Sequence, residues 1–252
     1  MHKQSEQTRL MQDLPLFYTP DLEHRLALPE EEAGHALRVL RLAPGDRVQL
    51  TDGKGKAWLA EISFTSKKDC ELQLLEEIPW QAYWQGHITL CVAPTKSIDR
   101  IEWLLEKATE LGLNRVILLR CQHSERKQVK AERISKILVG AMKQSQKALV
   151  PELLVDVPFA EALRLTADSQ RLILHCRESV DGILERRLPH AHYLGGDVSL
   201  FIGPEGDFAI EEVLAAQASG ALPTSLGASR LRTETAALAA LQWIHTLQMT
   251  KN

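Results

Sequence analysis

From His87 onward the chain alternates short apolar runs with segments that carry apolar residues at helical spacing, and this alternation narrows the fold more than any other feature. His87 to Val92, Val116 to Leu119, Arg171 to His175 and Val198 to Ile202 have the length and composition of strands buried on both faces. Between the first two, Asp99 to Leu111 sets Ile101, Leu104, Leu105, Ala108 and Leu111 on one helical face, and Gly112 follows where a left-handed residue closes a helix. Further helices are predicted from about Ala131 to Leu149, with Ile134, Ile137, Leu138 and Ala141 on the inner face, near Ile210 to Ser219, and from Thr233. Strands and helices in this order predict an α/β domain with a mostly parallel sheet covered on both sides.

The front of the chain has a different period. Arg47 to Leu50, Ala57 to Ile62 and Cys70 to Leu74 read as strands, and Asp52-Gly53-Lys54-Gly55 between the first two is a hairpin signal. One short helix around Glu31 to Leu40 precedes them, which suggests a small β-barrel. Three segments result: a polar leader over 1–13, expected to be disordered, a barrel over 14–80, and the α/β domain over 81–252, with the uncharged stretch Pro79 to Gly86 as linker. No apolar run is long enough to span a bilayer, the leader lacks a signal-peptide core, and the four cysteines form no pair or framework spacing. A reduced, cytoplasmic protein is expected.

A net charge of −3 conceals an uneven distribution. Residues 96–150 hold 12 Lys+Arg against 6 Asp+Glu, whereas residues 1–80 hold 10 against 14 and residues 151–252 hold 8 against 13. A basic block of this kind suits a phosphate-facing surface, and equally a pair of solvated helices.

Two glycine-bearing loops close the sequence. Gly203-Pro204-Glu205-Gly206-Asp207-Phe208 follows the last buried strand, and Ser225-Leu226-Gly227-Ala228-Ser229-Arg230-Leu231-Arg232 runs into the final helix. Glycines where a strand gives out let the main chain approach a ligand closely. Thr233 can cap the final helix and Glu234 suits its positive end, so both have structural explanations. Arg230 and Arg232 oppose the helix dipole, and an anion to be held explains them better. There is no G-x-G-x-x-G after a strand and no P-loop, and His175, Cys176, His190 and His192 lack metal-ligand spacing, so no metal is expected.

These two loops, with Lys107-Ala108-Thr109-Glu110-Leu111-Gly112, Ser124-Glu125-Arg126, Gln144-Ser145, His35-Ala36-Leu37-Arg38-Val39-Leu40-Arg41-Leu42, Gly45-Asp46 and Asp52-Gly53-Lys54-Gly55, resemble in kind and order the motifs of the RsmE family. That family comprises SPOUT-superfamily methyltransferases acting on 16S ribosomal RNA. The resemblance runs from about Leu16 onward. It departs at Asp207, where glycine is commoner, and at Lys147, where arginine is commoner.

The resemblance implies a PUA-like RNA-binding barrel followed by a SPOUT domain whose C-terminal segment forms a trefoil knot around S-adenosylmethionine. It places the donor against Leu174, His175, Ile202, Gly203, Pro204, Glu205, Gly206, Ser225, Leu226, Gly227, Ser229, Leu231 and Arg232. The implied reaction methylates N3 of a uridine in the small ribosomal subunit, with Arg232 stabilising the uracil anion and Glu234 a candidate for proton removal or base positioning. Arg38, Arg41, Lys54, Lys96, Arg126, Lys143 and Lys147 are the expected phosphate contacts. A homodimer is implied; the apolar face formed by Ala236, Ala237, Ala240, Leu241, Ile244 and Leu247 is compatible with it and fits an internal core equally. Two other readings share these residues: a SPOUT enzyme with another RNA or a ribose hydroxyl as target, and a ribosome-assembly RNA binder without catalysis.

Overall fold

The computed structural model describes residues 14–125, 129–178 and 182–250; the expected leader, 1–13, lies outside them. The chain divides into two compact units, one of residues up to Ala82 together with Val139–Val150, the other of Tyr83–Leu138 and Pro151–Asn252. The segment Val139–Val150 is an addition to the first unit that hydrophobic periodicity did not show.

In the first unit β1 (Leu16–Tyr18), β2 (Arg47–Thr51), β3 (Ala57–Thr65) and β4 (Cys70–Ile78) pair in that order, β1 parallel to β2 and the rest antiparallel. The hairpin between β2 and β3 is held by Asp52, whose Oδ1 accepts the N–H groups of Lys54 and Lys56 at 2.7 and 3.1 Å. Gly53 and Gly55 supply its left-handed turns, with φ of +73° and +105°. A short helix, α1 (Glu30–Gly34), runs into a single π-helical turn over His35–Val39. Phe17, Leu28, Ala33, Ala36, Val48, Leu50 and Ile62 form the core. The added segment docks by main chain: Gly55 N–H donates to Ala148 O at 2.8 Å and Val150 N–H to Gly53 O at 2.9 Å.

The second unit is built on a six-stranded sheet of order β10-β8-β9-β5-β6-β7, with all pairs parallel. The strands are β5 (Ile88–Val92), β6 (Arg115–Arg120), β7 (Glu152–Pro158), β8 (Gln170–Leu174), β9 (Val198–Ile202) and β10 (Leu222–Thr224). β5 and β9 are wholly buried at its centre. The helices are α2 (Ile98–Leu111), α3 (Ala131–Gln144), α4 (Phe159–Leu165), α5 (Ile210–Ala218) and α6 (Thr233–Thr250). Cys91, Ile117, Ile173 and Phe201 point to one face and pack with Phe159 of α4 and Val213 of α5. The other face takes α6, which lies over β5 and β9 and against α2. Ala237, Ala240, Leu241 and Ile244, named above as a possible dimer face, are buried inside this unit.

Gly112 closes α2 as expected, at φ +95°. α3 stops at Gln144 rather than Leu149, because Gln146 turns left-handed (φ +54°) and Lys147 N–H reaches back to Met142 O. In sequence the chain builds outward from β5 to β7, then places β8 and β9 on the opposite side of β5. The carboxyl ends of strands flanking such a reversal are where open α/β sheets bind ligands.

Candidate donor and RNA site

The two glycine loops leave the carboxyl ends of β9 and β10 and enclose a cavity of about 780 Å³. All thirteen residues expected to hold the donor line it: Leu174, His175, Ile202, Gly203, Pro204, Glu205, Gly206, Ser225, Leu226, Gly227, Ser229, Leu231 and Arg232. The loops are pinned to each other where α6 begins, through Thr233 Oγ1, which donates to Gly203 O at 3.0 Å. That hydroxyl therefore ties one loop to the other, where a helix-capping role was expected. Gly203 sits tightly against Phe208, since a Cβ would lie 3.1 Å from its backbone nitrogen and the neighbour would have to yield.

Asp207 is the rigid corner of the first loop. Its backbone is left-handed at φ +62°, an unusual state for a residue with a Cβ. Its Oδ1 accepts Phe208 N–H and its Oδ2 accepts Cys176 N–H, both at 2.8 Å, so one carboxylate binds the loop after β9 to the chain leaving β8. Glu205 is likewise committed, with Oε1 accepting Lys96 N–H at 3.0 Å from the connection between β5 and α2.

His175 is 5 % exposed, and among the described residues neither ring nitrogen has a hydrogen bond of normal geometry. Burial pushes its imidazole down to about 4, and the pull of the Asp207 carboxylate in the other direction is weaker. A neutral imidazole buried on a cavity wall, with only a weak backbone contact at Arg177, is open to a ligand. Sequence reasoning missed several wall residues, among them Cys176, Arg177, Arg186 and Thr224. Arg186 Nη1 donates to His175 O at 2.7 Å and Arg177 bonds Phe208 O through Nε and Nη2, so both buttress the wall. No motif surrounds these arginines, and only their place after β8 could have signalled them.

Arg230 and Arg232 are both exposed and form no ion pair among the described residues. Arg232 lines the cavity; Glu234, expected beside it, does not. Its carboxylate is buried, and Oε1 sits 3.8 Å from Arg100 Nε. The side chain is turned into the protein, away from the cavity lining.

The expected phosphate contacts divide. Arg38, Arg41 and Lys54 are exposed on the first unit, and Lys96 on the second, where its Nζ lies 3.4 Å from Glu125. Lys143 is instead clamped by both oxygens of Glu32 at 2.6 and 2.7 Å, and Lys147 is buried, so neither presents a free charge to RNA. Arg126 lies outside the described residues. Among the described residues no group of His, Cys, Asp and Glu could hold a metal ion, and no helix is long and apolar enough to cross a membrane.

The models of two protein families match the chain: an RNA methyltransferase domain over residues 83–245 and an RNA methyltransferase PUA domain over residues 28–75. Among solved structures, a probable rRNA-methyltransferase from Porphyromonas gingivalis superposes with a TM-score of 0.89 at 46 % identity, covering 95 % of this chain and all of the other. The ribosomal RNA small subunit methyltransferase E of Neisseria gonorrhoeae, bound to S-adenosyl methionine, matches with a TM-score of 0.78 at 31 % identity over 93 % of this chain and 98 % of its own. The protein of that same name in Rickettsia conorii is 28 % identical over 210 residues, which are 83 % of this chain and 84 % of the relative.

Proposed function

The chain belongs to the RsmE family of RNA methyltransferases, and from that premise we propose that it methylates N3 of a uridine in the 16S RNA of the small ribosomal subunit with S-adenosylmethionine as donor. The observation that carries the reading is the cavity at the carboxyl ends of β9 and β10, walled by the two glycine loops and holding a buried, neutral His175. Its volume, about 780 Å³, is in the range of small-molecule sites. The donor fits this cradle, with loop backbone and His175 as its polar contacts. S-adenosylmethionine supplies an electrophilic methyl group, so the protein has only to orient the acceptor and stabilise its charge.

The acceptor nitrogen belongs to an imide and must lose its proton before it attacks. Arg232, exposed on the cavity wall, is the group we assign to the negative charge that then develops on the uracil oxygens. The target base must be unpaired or extruded to reach it. Arg38, Arg41, Lys54 and Lys96 supply phosphate contacts. The reading further includes a C-terminal segment tied into a trefoil knot, a homodimer, and action in the cytoplasm where subunits mature. Light scattering at micromolar concentration tests the dimer, and a monomer would remove it.

The test of the reaction is methyl transfer from S-adenosylmethionine to small subunits that lack the mark, with the product nucleoside identified by mass spectrometry. N3-methyluridine at one 16S site is expected. Another methylated nucleoside would keep the enzyme class and overturn the target.

A further inference from the structure

Glu234 is a buried residue whose Oε2 is sealed from solvent and has no hydrogen-bond partner among the described residues, while Oε1 lies 3.8 Å from Arg100 Nε. A buried carboxylate oxygen without a hydrogen-bond partner calls for an explanation, and the ion-pair partner of this side chain is Arg100. Arg100 stands in the first turn of α2 and keeps 42 % of its side chain in solvent. With Nε turned to Glu234, the planar Nη pair of the fork remains for an oxyanion.

The surroundings of Arg100 place it at the donor site. Lys96, four residues earlier, donates its N–H to Glu205 of the first glycine loop. Glu234 follows Arg232 of the second by two residues. The connection from β5 into α2 is therefore hydrogen-bonded to the first glycine loop through Glu205, and Arg100 in the first turn of α2 pairs at 3.8 Å with Glu234 at the start of α6. Arg100 is not among the residues that line the cavity.

We propose that Arg100, held in place by the buried carboxylate of Glu234, grips a backbone phosphate of the RNA nucleotide delivered to the cavity. Glu234 is then a positioning residue, and its burial fixes the direction of the Arg100 fork. This rests on the RNA-methyltransferase reading above. It adds a phosphate subsite distinct from Arg232, which faces the base.

Two measurements on the full-length protein test it: filter binding of small ribosomal subunits with S-adenosylhomocysteine present, and steady-state methyl transfer. Arg100→Ala should weaken RNA binding and raise KM on the order of tenfold, with kcat changed less than about twofold and the salt slope lowered by about one. Arg100→Lys should recover part of the loss, since it keeps the charge without the fork. Glu234→Gln should shift KM in the same direction, and Arg100→Ala/Glu234→Gln should be no worse than Arg100→Ala alone. Donor affinity by calorimetry should be unchanged in all of them. A fall in kcat at constant KM would overturn the proposal by moving Arg100 to the reacting base. Parallel loss of donor affinity would overturn it by making the pair a brace of the cavity, and strictly additive effects would remove the coupling. A wild type that binds RNA but transfers no methyl would sink the reaction assigned above, and Arg100 would then be judged on filter binding alone.

Discussion

Arg232 and His175 are both residues of the cavity wall, and their environments assign them opposite tasks. Arg232 is exposed, charged and unpaired among the described residues, so its guanidinium is available only to something that arrives. Arg232→Ala is expected to lower kcat by about 100- to 1,000-fold, the usual cost of removing one preorganised donor to a developing oxyanion. Calorimetry should show donor affinity within about twofold of wild type; an equal loss of affinity would make Arg232 a donor contact instead. His175 is buried and kept neutral. Its imidazole is depressed from 6.5 to about 4, so below pH 6.5 the unfolded chain takes up a proton that the folded chain refuses. Stability from this group is therefore complete above pH 6.5 and declines as pH falls toward 4, by about 3 kcal/mol in all. Urea melts at pH 7 and pH 4.5 should show wild type losing about 2–3 kcal/mol more than His175→Asn. Equal losses would mean that the ring charges freely in the folded state.

At the scale of elements, the loop after β9 carries its own strain and its own restraint. Asp207 holds a left-handed backbone, which costs a side-chain-bearing residue about 1–2 kcal/mol, and offsets this with bonds to Cys176 and Phe208. Asp207→Gly should thus be nearly neutral in stability yet loosen the tie to β8. Asp207→Ala, which loses the bonds and keeps the strain, should be less stable than the glycine variant by about 1 kcal/mol. Donor affinity should fall in both, and equal melts for Ala and Gly would show that the corner is not held. The long apolar elements were legible from sequence because burial and periodicity coincide there: β5 and β9 are wholly buried, and the predicted face of α2 is the one that packs. β7 escaped because only Val157 of its seven residues is fully buried, and β10 because it is a three-residue edge strand with Pro223 at its centre. α4, at seven residues, is too short to show a period. The thirteen cavity-lining residues were legible because they belong to the two glycine loops or stand where β8 and β9 end. Arg177 and Arg186 act through backbone carbonyls, and no side-chain pattern encodes that.

Across the whole molecule, the basic block of residues 96–150 suited a phosphate-facing surface and a pair of solvated helices equally, and the structure divides it. Its helix α3 continues into a segment that belongs with the first unit, where Lys143 is neutralised by Glu32 and Lys147 is buried. Charge counted along a sequence cannot distinguish a lysine that faces water from one that completes a core. RNA affinity measured against salt can, because each phosphate contact releases counterions and adds to the slope of log K on log salt. Arg38→Ala combined with Arg41→Ala removes two exposed cations and should reduce that slope by about two, with binding weakened across RNA sequences. Lys147→Met should leave the slope unchanged while altering the melting temperature, since the side chain it replaces is packed rather than presented. If the slope fell for Lys147→Met and held for the arginine pair, RNA would have to reach the docked segment Val139–Val150, and the exposed surface around Arg38 and Arg41 would be solvent-facing charge only.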